Sequence, residues 1–160
     1  MAQTTMTTNP GAGQAGTFAT SVGVRTISKV AAEAITPGKG VVITADDQTT
    51  CEQPDATGEV TGGRFLGIAL LDHKRTTAAY AAGDVVTIAV EGEVWVAVED
   101  AATAGSQPFV RFADPGSTGL GSFRSDADTA DAVGLPNAVF TSTQTSAGGL
   151  AKVKLGGVFS

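Results

Sequence analysis

The segment Ser125-Asp126-Ala127-Asp128-Thr129-Ala130-Asp131 puts three carboxylates within six residues, and carboxylates are the hard oxygen ligands that calcium takes. An EF-hand loop counted from Asp126 needs Gly at its sixth position and Glu at its twelfth, where this chain has Asp131 and Asn137. The stretch reads instead as a solvated loop whose Asp side chains cap turns through local hydrogen bonds. Asp72-His73 holds the only histidine. An acid–base pair there needs both side chains on one side, whereas successive strand residues point to opposite faces. Cys51 is the only cysteine, so no intrachain disulfide forms, and with no histidine beside it the thiol reads as a small filler or an exposed spectator. Gly11-Ala12-Gly13-Gln14-Ala15-Gly16 spells the bare dinucleotide-binding string, but that fingerprint needs a strand before it and a helix after it. A Thr-rich terminus stands in front of it instead. Trp95 is a candidate platform for a sugar or a partner, although its alternating setting makes it core or subunit interface first.

Composition points away from chemistry as well. The 160 residues are most simply one domain with an added arm, large enough to bury a core without staples. Charged residues make up 16%, against about 25% in an ordinary soluble domain. The surface must therefore be finished with Thr, Ser, Gly, Asn and Gln, which protects poorly against association and suits an assembly protein. A net charge of -6 argues against nucleic acid as partner, since phosphate backbones need clustered Lys and Arg. No stretch approaches the roughly 20 apolar residues of a membrane helix, so no membrane partner is expected. No basic residue precedes Arg25 and no apolar run follows the start, so a secretory signal is not expected and the cytoplasm is the expected site of synthesis.

The elements are strands. In Ala81 to Val98, the residues Val86, Ile88 and Val90, then Val94, Val96 and Val98, fall on one parity with Gly92 between the groups. Period-two spacing of β-branched residues makes a half-buried strand, and Gly92 makes the stretch either a tight hairpin or one long strand with a bulge. Further strands are expected at Val24–Val30, Val41–Thr44, Phe109–Phe112, Leu120–Phe123, Ala138–Thr141 and Leu150–Leu155. Arg64–Leu71 is an almost continuous apolar run suited to a strand buried on both faces. Ala31–Ile35 fits a strand or one helical turn, and Asp46–Gly63 reads as a polar loop. No helical period lasts beyond a turn. The fold class is therefore all-β, a small β-sandwich or barrel-like body over residues 22–160, with residues 1–21 as an extended N-terminal arm. Residues 1–18 have little to bury and read either as a tail or as an arm that orders on a neighbouring subunit.

The order of elements carries a resemblance. An arm precedes Ile35-Thr36-Pro37-Gly38-Lys39-Gly40-Val41-Val42; then come Gly67-Ile68-Ala69, Tyr80-Ala81-Ala82-Gly83-Asp84-Val85-Val86-Thr87-Ile88 and Glu91-Gly92-Glu93-Val94-Trp95-Val96. Leu120-Gly121-Ser122-Phe123, Ala132 to Phe140 and Ala151-Lys152-Val153-Lys154-Leu155 complete it. Over roughly residues 30–158 this resembles the capsid cement, or head decoration, proteins of tailed bacteriophages. The resemblance implies a non-enzymatic protein on the outer capsid surface of the virion, with no catalytic residue, cofactor or metal. It implies the major capsid protein as partner, and the chain itself as a homotrimer at threefold and quasi-threefold positions. Arm residues Ala2 to Phe18 and the loops Asp46–Gly63 and Ala113–Gly121 are then expected to make the lattice contacts. Two other classes stay open from the residues. One is a calcium-dependent carbohydrate-binding β module using Trp95 with Asp126, Asp128 and Asp131. The other is an enzyme fragment using Asp72 and His73.

Overall fold

The computed structural model describes residues 13–113 and 119–156. Its strands are β1 (Arg25–Ala31), β2 (Gly40–Ile43), β3 (Thr50–Glu52), β4 (Phe65–Ala69), β5 (Val85–Ala97), β6 (Phe109–Arg111), β7 (Phe123–Arg124), β8 (Ala132–Gly134), β9 (Ala138–Phe140) and β10 (Leu150–Gly156). A single-turn helix, α1 (Thr57–Thr61), lies between β3 and β4. The all-β body expected from the sequence is what forms. Strands β1, β3, β2, β4 and β5 pair in that order, and β5 also pairs with β1, which closes a five-stranded barrel. Strands β10 and β9 extend the sheet beyond β5, and β7, β6 and β8 form a separate three-stranded sheet.

Strand β5 organises the molecule. The choice between hairpin and long strand is settled in favour of one strand of 13 residues. Arg25 stands opposite Glu91 and Thr26 opposite Ala89, so Val90 is an extra residue in the ladder. A one-residue insertion reverses which way every later side chain points. Val86, Ile88 and Val90 accordingly fill the barrel interior with Ile35, Val41, Cys51 and Tyr80. Val94, Val96 and Val98 face a second core with Phe65, Val110, Phe123, Phe140 and Val153. One parity in the sequence thus serves two cores. Gly92 sits just past the insertion at φ +120°, a left-handed value that side chains rarely adopt. A Cβ there would also come within 2.8 Å of Val24 Cγ1 and 3.2 Å of Phe18 Cε1.

Departures from the sequence reading have local causes, and where a strand was expected at Leu120–Phe123 the chain turns at Leu120–Gly121 and β7 begins only at Phe123. Asp46–Gly63, expected to be loop, contains β3 and α1. In β3 only Cys51 is fully buried, and three residues are too few to show a period. The helix α1 is held by Glu59, whose carboxylate accepts from the backbone N–H groups of Asp55 (2.7 Å) and Ala56 (3.2 Å). Ala31–Ile35 continues from the end of β1 into an irregular segment, in which Ile35 makes a single bridge to Tyr80. The described part of the N-terminal segment lies on the body itself. Trp95 N donates to Thr17 O (2.9 Å), Gly16 N to Trp95 O (2.8 Å) and Ala19 N to Glu93 O (2.7 Å), while Phe18 packs against the second core. Residues 1–12 of the expected arm, 114–118 of the loop Ala113–Gly121, and 157–160 lie outside the described residues.

Candidate functional site

The acidic segment becomes an ion-pair cluster. Arg111 from β6 and Arg124 from β7 project between it and Glu99-Asp100, and each guanidinium is about 10% exposed. Arg111 Nε donates to both oxygens of Glu99 (3.0 and 2.8 Å), and its Nη2 pairs with Asp128. Arg124 Nη1 donates to Glu99 Oε2 (3.1 Å) and Asp128 Oδ2 (2.8 Å), and its Nη2 pairs with Asp126 Oδ1 (2.8 Å). Asp100 accepts from Ser125 N (2.9 Å) and Ser125 Oγ (2.8 Å). The Asp128 N–H and then Arg124 hold the Asp126 carboxyl below its ordinary pKa. Burial works to lower the Arg111 pKa, but Asp128 and Glu99 outweigh it and keep the guanidinium above its usual value. The two guanidiniums occupy oxygen lone pairs that a divalent cation would need, so Asp126 and Asp128 act as internal struts. Three successive residues here, Asp128, Thr129 and Ala130, have φ of 43°, 58° and 86°. That strain persists because the cluster and the turn bonds from Ala130 N and Ala132 N to Ala127 O fix the knuckle.

The other candidates separate. Asp72 accepts from the Lys74 N–H (2.9 Å) and so shapes its own turn, while His73 is exposed beside it. Cys51 is fully buried in the barrel interior, and burial pushes its thiol pKa up to about 11. Trp95 is half-buried and faces outward, not into either core. Lys152 Nζ lies 5.1 Å from its ring centroid, and Gly13 is packed so tightly on the indole that a Cβ would overlap Cδ1. A sugar would find that ring already covered. Among the described residues no group of His, Cys, Asp and Glu is arranged to hold a metal ion.

Residue patterns missed both arginine clusters. Arg64 Nε donates to Ile43 O (2.9 Å) and its Nη1 to Glu59 Oε1 (3.0 Å), while Nη2 reaches Glu52 Oε1 (3.2 Å). This ties the Asp46–Gly63 excursion to the end of β2. The loop after Ala113 returns at the other end of the same strand, where Gly40 N donates to Gly121 O (2.7 Å). One sequence signal was available: Arg111 interrupts the apolar run Phe109-Val110-Arg111-Phe112, where a charge is tolerated only if paired.

Concavities among the described residues include the following two. A cleft of about 300 Å³ is lined by Val60, Phe65, Leu135 and Pro136 among others. A shallower groove of about 700 Å³ runs between the Thr20–Gly23 excursion and β10, lined by Val22, Glu91, Glu93, Thr141 and Lys154. Val22 is 80% exposed on its rim. Neither gathers a nucleophile with a base.

The described residues form a closed barrel with an added sheet, in which two arginine clusters act as internal struts. Residues 2–156 match the family model described as structural cement protein (E217 gp24/Pam3 gp6), and the chain belongs to that phage structural cement protein family. It is similar in fold to a chain from the capsid of Myoviridae phage XM1, with a TM-score of 0.72 at 17% identity, covering 97% of this chain and 96% of that one. The N base of the head fiber gp8.5 of bacteriophage phi29 gives a TM-score of 0.46 at 8% identity over 82% of this chain and 93% of that one, too distant to inform the fold. No curated protein matches the chain. The protein is therefore a structural component of a phage capsid with a cement role.

Proposed function

We propose that the protein binds the outer face of the phage head, bridges neighbouring major capsid proteins and stabilises the mature shell, without catalysis. The carrying observation is membership of the cement family over residues 2–156. The geometry is in keeping with it: the would-be catalytic or ligating groups Asp72, His73, Asp126 and Asp128 are dispersed or engaged in turns and ion pairs. The assembly is a homotrimer at threefold and quasi-threefold positions, synthesised in the host cytoplasm. Three copies of a weak contact reinforce one another once the first engages, and preferential binding to the mature shell stabilises that shell by mass action. The loops Asp46–Gly63 and Ala113–Gly121 supply lattice contacts. Arg64 and Gly121 anchor these loops at opposite ends of β2, so the barrel spans the distance between them. Purified protein mixed with phage shells lacking it should co-sediment with them to saturation. Protein left in the supernatant at every shell concentration would refute the reading.

A further inference from the structure

The knuckle Ala127–Asp131, between β7 and β8, holds an unfavourable backbone without burying anything apolar. Asp128, Thr129 and Ala130 take successive φ values of 43°, 58° and 86°. Asp tolerates the left-handed region, whereas Ala and above all the β-branched Thr do not. No residue from Ser125 to Asp131 is buried, and none belongs to either core. The turn bonds to Ala127 O, from Ala130 N (2.9 Å) and Ala132 N (3.0 Å), exchange for bonds to water when the turn opens, so they stabilise it little. What remains is charge. Arg111 and Arg124 both donate to Asp128 Oδ2, and Arg124 also pairs with Asp126. Glu99 and Asp100, which follow β5, pair with the same guanidiniums and so anchor them to the body whether the knuckle is held or not.

We propose that this knuckle is a strained clasp, held shut by the Asp128 carboxylate and able to open as a unit of its own while the barrel stays closed. Asp128 is the keystone because one oxygen accepts from a guanidinium on β6 and from another on β7. Charge-assisted bonds of this kind are the strong ones, and without them nothing offsets the cost of three left-handed residues. The negative φ values that Thr129 and Ala130 favour then take over. Opening also withdraws the Asp131 carbonyl, which accepts from the N–H groups of Phe112 (3.0 Å) and Ala113 (3.2 Å), so the end of β6 loosens with it. The opening stops there. The barrel interior, with Val86, Ile88 and Cys51, is built from other elements, and small units of low local stability open ahead of such a core. Ionic strength is the trigger, because the Asp126 and Asp128 side chains are 65% and 38% exposed and dissolved ions reach them.

The test is amide hydrogen exchange by nuclear magnetic resonance on the full chain, on Asp128→Asn and on Thr129→Gly. The Ala130, Ala132 and Phe112 amides report the clasp, and those of Leu70 and Tyr80, bonded to Thr87 O and Ile35 O, report the barrel. Asn keeps the size of Asp and its tolerance of the left-handed region but lacks the charge, so clasp amides in Asp128→Asn should exchange about tenfold faster. Gly adopts positive φ freely, so Thr129→Gly should slow the same amides about threefold. Raising salt from 0.01 M to 1 M, which cuts the screening length from about 30 Å to about 3 Å, should speed them about threefold in the unaltered chain. Leu70 and Tyr80 should keep their rates throughout. Clasp amides that exchange equally in Asp128→Asn and the unaltered chain overturn the proposal, as do barrel amides that accelerate with them. Faster or unchanged exchange in Thr129→Gly removes the strain, and indifference to salt removes the trigger; either overturns it as well. Should Asp128→Asn not fold, Thr129→Gly and the salt series decide, since both leave every ion pair of the cluster in place.

Discussion

Cys51 shows how position decides what a reactive group does. The side chain is sealed inside the barrel, and burial holds the thiol protonated up to about pH 11 against an ordinary value near 9.0. A neutral buried thiol packs as a small apolar group and is a poor nucleophile. The sign follows directly: the unfolded thiol loses its proton first, so stability is full below pH 9 and falls between pH 9 and pH 11 by up to about 1.4 kcal/mol per pH unit. Unfolding free energies from urea titrations of the native protein and of Cys51→Ala should therefore diverge as pH rises above 9, and a thiol reagent at pH 8 should label the native chain only as fast as it unfolds. The sequence left Cys51 as either filler or exposed spectator because a lone thiol in a three-residue strand has no pattern around it. Asp126 and Asp128 were visible as carboxylates but not as struts, since Arg111 and Arg124 reach them only through the pairing of β6 with β7.

At the scale of elements, glycines set the bends that let one strand serve two cores. Gly67 in β4 has φ +153°, and a Cβ there would overlap the Ala89 carbonyl oxygen on β5, a backbone atom with no room to retreat. Gly92 combines φ +120° with the close approach of Val24 and Phe18. Gly58 in α1 has open space around it. Gly67→Ala and Gly92→Ala should each cost about 1–3 kcal/mol or more, while Gly58→Ala should gain about 0.5–1 kcal/mol. Thermal melts followed by circular dichroism would check the order, with Tm moving by roughly 2–4 °C per kcal/mol. The valine alternation of β5 and the Ala151, Val153, Leu155 parity of β10 were legible, because a half-buried strand writes its face into every second residue. The reversal at Val90 was not legible, since a bulge is defined by its partner strand and the chain alone does not show which residue is unmatched.

For the whole molecule, the pairing of β1 with β5 closes the five-stranded barrel and so removes two strand edges. Low charge and an abundance of Thr, Ser and Gly suit wide contact with a protein lattice, and the Arg64 cluster ties the Asp46–Gly63 excursion to the end of β2. Fold class was legible from periodicity alone. Function came through the order of short Gly- and Val-rich motifs, because adhesion to a lattice needs no constellation of reactive residues that a sequence could display. The most direct test of the cement role is the disruption temperature of mature phage shells, measured by dye-monitored melting with and without saturating protein. The account predicts a higher disruption temperature when the protein is bound. Saturated shells that open at the same temperature as bare ones would contradict it.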